Sequence, residues 1–157
     1  MDAEAAYILG CLHDIGRRAG VTGMRHVLDG YNYLMSLGYE QAARINLTHA
    51  YPIKNTAAGA DLWDGSENEI QFVQVYLDQI DYNRYDRLIQ LCDSLALPSG
   101  FCLMEKRLVD VVMRYGTNPL TIPKWKAYFA IKEDFEREIG QSIYSLLPGV
   151  VENTFSC

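Results

Sequence analysis

Residues 8–18 read Ile-Leu-Gly-Cys-Leu-His-Asp-Ile-Gly-Arg-Arg, an apolar stretch that leads into a histidine–aspartate doublet. Apolar side chains at helical spacing predict one buried face of a helix, here made of Ile8, Cys11, Leu12 and Ile15. On another side of this helix, the small residues Ala6 and Gly10 precede His13 by helical steps and leave room for side chains from other helices. The stretch therefore predicts a helix that carries His13 on an inward-looking face.

The same helical period continues along nearly the whole chain. Further predicted helices run from His26 to a C-cap at Gly38, then over 39–49, 67–80, 85–97 and 105–115, and from Pro123 to about 147. Residues 53–66 have no sustained period and are predicted to form a loop. The alternating pattern of half-buried strands is absent from the sequence. We expect an all-α fold, a single-domain helical bundle.

Composition excludes several classes of partner. A formal net charge of −6 over 157 residues argues against nucleic acid. No apolar run reaches the roughly 18–20 residues of a membrane helix, and the acidic N-terminus lacks a signal-peptide pattern. The cysteines Cys11, Cys92, Cys102 and Cys157 form no metal or redox motif, and Cys11 and Cys92 are expected in the core. We expect a cytoplasmic protein that binds neither nucleic acid nor membrane.

The chemistry-bearing residues fall on several predicted helices. The chain has three histidines, His13, His26 and His49, and it places Asp14 and Asp93 in apolar surroundings. A buried carboxylate is costly unless a cation or several hydrogen bonds compensate it. Oxygen and imidazole ligands suit Mn, Fe, Zn, Ni or Mg. Taken singly, a core histidine is more often a packing residue, by roughly four to one, and Asp93 could instead pair with an arginine.

The strings Leu-His-Asp-Ile-Gly-Arg-Arg at 12–18, Thr-His at 48–49 and Leu-Cys-Asp at 91–93, with His26 between them, resemble the HD-domain superfamily of metal-dependent phosphohydrolases. The resemblance covers about residues 5–97 of one HD-like domain over 1–157, with C-terminal helices at about 105–147 as flank. It implies that His13, Asp14 and Asp93 hold a first divalent metal ion, and that His26 and His49 complete a second site. Asp14 would also be the catalytic residue, shared between the metals or touching the attacking water.

One ligand departs from the family's pattern. The family's first histidine normally precedes the doublet on an earlier helix, whereas none of the twelve residues before His13 is a histidine. We therefore expect weak binding of the first metal ion and exposed apolar surface near Tyr7 and Ile8. Self-association could cover that surface, which leaves a homodimer open.

Arginines close to the doublet suit a phosphorylated substrate. Arg17, Arg18 and Arg25 follow it on a predicted glycine-rich loop, and guanidinium groups bind phosphate in a two-pronged fashion. At least one of them is expected to contact substrate, and the others could be ordinary surface charges. The segment 50–66 could form a lid over the site, with Tyr51 or Trp63 stacking on a base.

The function expected from these residues is hydrolysis of a phosphoester or phosphoanhydride in a small phosphorylated molecule, with a nucleotide as the leading candidate. It would require one or two divalent metal ions per chain. The alternative is a degenerate HD module that binds a nucleotide or a protein partner without catalysis.

Overall fold

The computed structural model describes residues 1–155, so the expectation for Cys157 lies outside the described residues. The predicted all-α class is confirmed, because eight α-helices account for most of the described chain. The chain divides into two compact units, Met1–Gln90 and the residues from Leu91 onward, and each is described by itself.

The first unit contains the helices α1 to α4 and most of α5. Their bounds are α1 Ala3–Leu12, α2 His26–Ser36, α3 Glu40–Thr48, α4 Glu67–Gln79 and α5 Arg84–Asp93, with 3-10 helices at Ile15–Ala19 and Thr56–Ala58. Local sequence fixes two of the starts. Asp2 accepts a hydrogen bond from Ala5 N at 2.7 Å at the N-terminus of α1, and Ser66 and Glu69 form a capping box on α4.

The core of the first unit lies on both sides of the α2–α3 pair. One group of buried side chains packs beneath α4 and consists of Met24, Val27, Leu28, Leu47, Tyr51, Val73 and Leu77. The other joins α1 and α5 to the pair and consists of Leu9, Leu34, Ala42, Ala43, Ile45 and Ile89. Burial of this apolar surface is the main force that holds the helices together.

A buried ion pair adds a polar link between α3 and α5. Asp86 is fully buried, and its carboxylate accepts hydrogen bonds from Arg44 Nη2 at 2.6 Å, Thr48 Oγ1 at 2.8 Å and Asn83 N at 2.8 Å. These donors compensate the buried charge, so Asp86 has a structural explanation and needs no cation.

Gly16 lets two backbone segments of the first unit approach closely. A Cβ atom on Gly16 would lie 2.6 Å from Gly30 N and 2.9 Å from the carbonyl carbon of His26. The 3-10 helix after the doublet therefore packs directly on the backbone of α2. This contact brings Asp14 towards His26.

The second unit begins with a short hairpin that the sequence did not predict. Strands β1 Ala96–Leu97 and β2 Gly100–Phe101 pair antiparallel, followed by α6 Met104–Tyr115, α7 Thr121–Ile139, a 3-10 helix Ile143–Leu146 and α8 Val150–Phe155. Helix α8 docks on the hairpin, because Asn153 Nδ2 donates to the Phe101 carbonyl oxygen at 2.8 Å and Thr154 Oγ1 accepts from Leu103 N at 2.9 Å.

Several predicted boundaries were wrong for identifiable reasons. The helix predicted to reach 97 ends at Asp93, where the hairpin follows. The helix predicted to reach 147 ends at Ile139, because Gly140 adopts a left-handed conformation with φ 72° and caps it. No helix within residues 1–155 combines the length and apolarity required to cross a membrane.

The buried face predicted for α1 was half wrong. Leu12 and Ile15 pack against the core group that contains Leu9, whereas Ile8 is 48% exposed and Cys11 is exposed. Helix α1 ends at Leu12, and Ile15 belongs to the 3-10 helix that follows. The four predicted residues therefore do not lie on a single helix. Cys92 is exposed as well, which contradicts its predicted core position. The apolar surface expected near Tyr7 and Ile8 is present, with Tyr7 73% exposed.

Candidate metal centre

The histidine–aspartate doublet lies where α1 ends. His13 is the C-cap of α1, and Asp14 directly precedes the 3-10 helix. Asn46, which is fully buried in α3, donates from Nδ2 to the Leu12 carbonyl oxygen at 2.9 Å and to the Ala42 carbonyl oxygen at 3.0 Å. The last carbonyl groups of a helix have no partner within it. The Asn46 bond therefore joins the end of α1 to α3 and positions the doublet.

All three imidazole rings are oriented by backbone carbonyl groups. Nδ1 of His13 lies 2.6 Å from the Gly10 carbonyl oxygen, and Nδ1 of His26 lies 2.6 Å from the Gly23 carbonyl oxygen. Nδ1 of His49 lies 3.0 Å from the Asn46 carbonyl oxygen. Since a carbonyl oxygen only accepts, each Nδ1 carries a proton and donates it. In a neutral ring, Nε2 then has an unshared electron pair, which is the form that binds metal ions.

The Nε2 atoms face one carboxylate oxygen. Asp14 Oδ1 lies 3.2 Å from His26 Nε2 and 3.4 Å from His49 Nε2. Ligand atoms of His13, Asp14 and His49 all lie within 4.8 Å of one another, and the ring centroids of His13 and His49 are 5.0 Å apart. The structure thus brings together the doublet, His26 and His49 in one volume, as the sequence predicted.

The cluster places a buried carboxylate oxygen among imidazole nitrogens. His26 and His49 are each 3% exposed, and Asp14 Oδ1 is buried as well. Burial by itself raises the pKa of Asp14, but the contacts with His26 and His49 outweigh it and hold that pKa well below its usual range. A carboxylate in this position is stabilised by protons or positive charge between it and the nitrogens, and a metal ion could take the same place. The donor set of imidazole nitrogen and carboxylate oxygen fits a divalent transition metal.

Arg17 links the cluster to solvent. Its Nε donates to Asp14 Oδ2 at 3.0 Å, its Nη2 lies 3.5 Å from His26 Nε2, and its side chain is 50% exposed. Arg17 is thus the predicted substrate-binding residue that lies directly beside the cluster.

The other two predicted arginines have different surroundings. Arg18 stacks over the ring of Tyr33 at 4.0 Å, and Arg25 pairs with Glu69 at 3.2 Å and with Asp29 at 3.6 Å. Neither lies on a glycine-rich loop as predicted, since Arg18 belongs to the 3-10 helix and Arg25 is the N-cap of α2. A substrate role for either stays a prediction.

Asp93 belongs to the second unit. Its side chain is half-buried and pairs with Arg107 Nη2 at 3.8 Å, which is the arginine partner that the sequence left open. The fully buried carboxylate of α5 is Asp86, two helical turns earlier. The assignment of Asp93 as a metal ligand stays a prediction.

The predicted lid is packed rather than open. Tyr51 is fully buried in the core, so it offers no surface for stacking on a base, and Trp63 packs against the same core group. Asp64 accepts hydrogen bonds from Gly23 N at 2.7 Å and Arg25 N at 2.8 Å. Asp64 was expected only as part of the lid, and its bonds to the segment before α2 have no local sequence signal, whereas Asn46 could have been noticed as a poor helix former on an apolar helix face.

Comparisons of the chain with family models, with curated proteins and with solved structures gave no match. The resemblance to the HD-domain superfamily therefore stays a prediction from the sequence, carried by the string at 12–18 with His26, His49 and Asp93.

Proposed function

We propose that this chain is a metal-dependent phosphohydrolase that acts on a small phosphorylated molecule, with a nucleotide as the leading candidate. One observation carries the proposal. Three histidine side chains each donate Nδ1–H to a backbone carbonyl, and two of them, His26 and His49, place Nε2 3.2 and 3.4 Å from the buried Oδ1 of Asp14. Such backbone-oriented imidazoles around a carboxylate are typical of a preorganised metal site.

His13, Asp14 and His49 would hold a divalent ion, and His26 lies beside the same carboxylate oxygen. A bound ion of this kind acts as a Lewis acid on a phosphoryl oxygen and lowers the pKa of a bound water. The two oxygens of Asp14 differ in what they contact, because Oδ1 faces the imidazoles and Oδ2 accepts from Arg17. Asp14 would therefore ligate the metal ion through Oδ1 and hold Arg17, the proposed phosphate-binding residue, through Oδ2.

Arg17 supports a phosphorylated substrate over other anions. Half of its side chain is exposed while Nε is held by Asp14, so the guanidinium group is fixed at the solvent side of the cluster. A guanidinium group presents two parallel donors to a phosphate group, and a lysine cannot reproduce that geometry. In this arrangement Arg17 would orient the phosphoryl group against the metal position.

A binding module without catalysis is the second candidate. Asp14 Oδ2 is already held by Arg17, and the carboxylate of Asp93 faces Arg107. Fewer carboxylate oxygens are then available to ligate metal ions than in the full family pattern. A module of this kind would bind a nucleotide or a protein partner and would not turn over phosphate.

The two candidates are separated by a hydrolysis assay. The purified chain, stripped with a chelator, is supplied with Mn²⁺, Zn²⁺, Ni²⁺ or Mg²⁺ and given a phosphomonoester, a cyclic dinucleotide and a dinucleoside polyphosphate. The proposal expects metal-dependent release of product from at least one substrate and loss of that activity in Asp14→Asn. Metal binding without turnover of any substrate would favour the binding module. Absence of both would refute the metal-centre proposal.

A further inference from the structure

The segment before α2 is bonded to the segment before α4. Asp64 uses both carboxylate oxygens, accepting from Gly23 N at Oδ2 (2.7 Å) and from Arg25 N at Oδ1 (2.8 Å). Between these two bonds, Met24 N donates to the Leu62 carbonyl oxygen at 3.1 Å. Three consecutive backbone N–H groups are thus held by one short stretch of the other segment.

This contact is close enough to require glycine. A Cβ atom on Gly23 would lie 2.5 Å from the Leu62 carbonyl oxygen and 3.1 Å from Asp64 Oδ1. A side chain there would have to displace backbone atoms, so the two segments could not approach to hydrogen-bonding distance. The pairing of the segments therefore depends on both Gly23 and Asp64.

Gly23 also orients His26. Its carbonyl oxygen accepts the Nδ1 proton of His26 at 2.6 Å, while its own N–H donates to Asp64. The three imidazoles differ in where the acceptor of their Nδ1 proton lies. His13 bonds a carbonyl of α1 and His49 bonds carbonyls of α3, and those helices hold their own carbonyl groups in place. The acceptor for His26 lies ahead of α2, outside any helix, so it needs support from elsewhere.

We propose that Asp64 is a positioning residue, which fixes the Gly23 carbonyl group and through it keeps the His26 ring with Nε2 turned towards Asp14. The consequence for metal affinity rests on the function proposed above, whereas the orientation of the ring does not. Arg25 strengthens the link from a second side, since Glu69 at the start of α4 pairs with its guanidinium group at 3.2 Å.

The chemistry of Asp64 makes a sharp substitution possible. A carboxylate offers acceptors to two N–H groups at once, and bonds to a charged acceptor are about twice as strong as neutral ones. Asn offers one acceptor, and its amide group would point an N–H at one of the two backbone donors. Asp64→Asn therefore breaks one bond of the pair while changing the size of the side chain little.

Nitrogen chemical shifts of the histidine rings in the metal-free, full-length chain test the proposal. They report which ring nitrogen carries the proton, and three histidines give three separate signals. In Asp64→Asn we expect the His26 ring to change to a mixture of tautomers while His13 and His49 keep the wild-type pattern. Asp61→Asn is the matched control, because Asp61 lies in the same segment and accepts from Leu62 N at 2.7 Å. In Asp61→Asn the nitrogen shifts of all three histidine rings should match those of the wild type.

Two results would overturn the proposal. One is an unchanged His26 ring in Asp64→Asn, and the other is an equal change in all three rings, which would indicate general loosening of the fold. Should Asp64→Asn fail to fold, Asp64→Ser provides the same comparison, because its short side chain leaves room for water at both N–H groups.

Calorimetric titration with Zn²⁺ adds the functional readout. Zn²⁺ affinity is expected to fall roughly 10–100-fold in Asp64→Asn, the range for residues that orient a metal ligand, and to stay at the wild-type value in Asp61→Asn. Wild-type affinity in a folded Asp64→Asn would contradict the role in metal binding. If the wild-type chain itself takes up no Zn²⁺, the proposed function fails, and the ring signals still decide whether Asp64 orients His26.

Discussion

At the scale of single residues, the centre depends on which ring nitrogen of each histidine carries a proton. The backbone carbonyl groups of Gly10, Gly23 and Asn46 place that proton on Nδ1. Nε2 of His26 and Nε2 of His49 then face Asp14 Oδ1 at 3.2 and 3.4 Å, where a proton or a metal ion can lie between nitrogen and oxygen. Substitution of Asp14 tests both.

Asp14→Asn should weaken metal binding and also lower the stability of the metal-free chain. His26 and His49 hold the pKa of Asp14 below its usual range, so the ionised carboxylate stabilises the fold at neutral pH, and the neutral amide loses that contribution. Because a neutral amide is a poor ligand, divalent metal affinity should fall by more than about 100-fold. Thermal unfolding without metal and calorimetry with metal measure the two effects. Unchanged stability of the metal-free variant at pH 7 would contradict this description of the cluster.

Arg17→Lys tests the assignment of the phosphate contact. The lysine keeps the charge but loses the fork that holds Asp14 and would bind phosphate, so KM for a phosphorylated substrate should rise about 10-fold. Arg18→Lys is the matched control, since Arg18 stacks over Tyr33 and has no recorded bond to Asp14 in the described structure. Equal kinetic effects of the two substitutions would show that neither arginine grips the substrate specifically.

At the scale of helices and segments, α3 is the element that holds the first unit together. It carries Asn46, which ties the end of α1, and Arg44, which forms the buried pair with Asp86 of α5. Removal of one partner from such a pair leaves a buried charge without compensation.

Asp86→Asn should therefore lower the free energy of unfolding by about 3–5 kcal/mol, measured by urea denaturation. Asp81→Asn is the control, because Asp81 pairs with Lys54 at 3.3 Å but is fully exposed, and an exposed pair contributes about 0–1 kcal/mol. Similar losses in the two variants would refute the structural role assigned to the buried pair.

Gly16→Ala should destabilise the chain, because the added Cβ would meet the backbone of α2 at 2.6 Å. The expected loss is about 2 kcal/mol or more, as for other overpacked positions. Gly10→Ala is the counterpart in α1, where the nearest atom would be Ile89 Cδ1 at 3.7 Å, and it should gain about 0.5–1 kcal/mol from helix propensity. Chemical denaturation measures both. A neutral Gly16→Ala would argue against the close packing of the 3-10 helix on α2.

Much of the element order could be predicted from the sequence, because apolar side chains at helical spacing reflect local burial. The helix predicted over 67–80 was found at Glu67–Gln79, and that over 105–115 at Met104–Tyr115. The hairpin at 96–101 was missed because its strands have only two residues each, too short for an alternating pattern. The end of α7 depends on the left-handed Gly140, which the pattern of apolar residues does not register.

The candidate site was predicted only as far as residue type and local position allow. Histidine and aspartate at helix faces indicate chemistry by residue type, so His13, Asp14, His26 and His49 could be named from the sequence. The contacts of Asn46 and Asp64 join segments far apart in the chain, and no local pattern encodes them. The arginine that pairs with Asp93 lies on α6, a partner that the sequence around Asp93 could not identify.

At the scale of the whole molecule, a lysine of α7 makes stability depend on pH. Burial lowers the pKa of Lys124 to about 8, although the charge of Asp93 opposes this shift. Below pH 8 the folded chain carries a buried charged amine, and this penalty is fully present. Between pH 8 and the usual lysine value of 10.5 the unfolded chain binds more protons, so stability contributed by Lys124 rises with pH.

Lys124→Met should remove that dependence. At pH 7 the variant should be more stable than wild type by about 1–3 kcal/mol, and the difference should shrink towards zero as the pH approaches 10.5. Urea denaturation across this range measures it, with Lys126→Met, an exposed lysine of the same helix, as control. A constant difference between wild type and Lys124→Met across the range would contradict a lowered pKa.

The candidate centre lies wholly within the first unit, since His13, Asp14, His26 and His49 all precede residue 91. The proposed metal ion would be held by His13, Asp14 and His49, with His26 beside the same carboxylate. X-ray absorption at the zinc edge, on the full chain loaded with one equivalent of Zn²⁺, measures this coordination. We expect at least two imidazole ligands with Zn–N distances of about 2.0–2.1 Å, and their loss in Asp14→Asn. A shell of water oxygens or of cysteine sulfur, unchanged by that substitution, would contradict it.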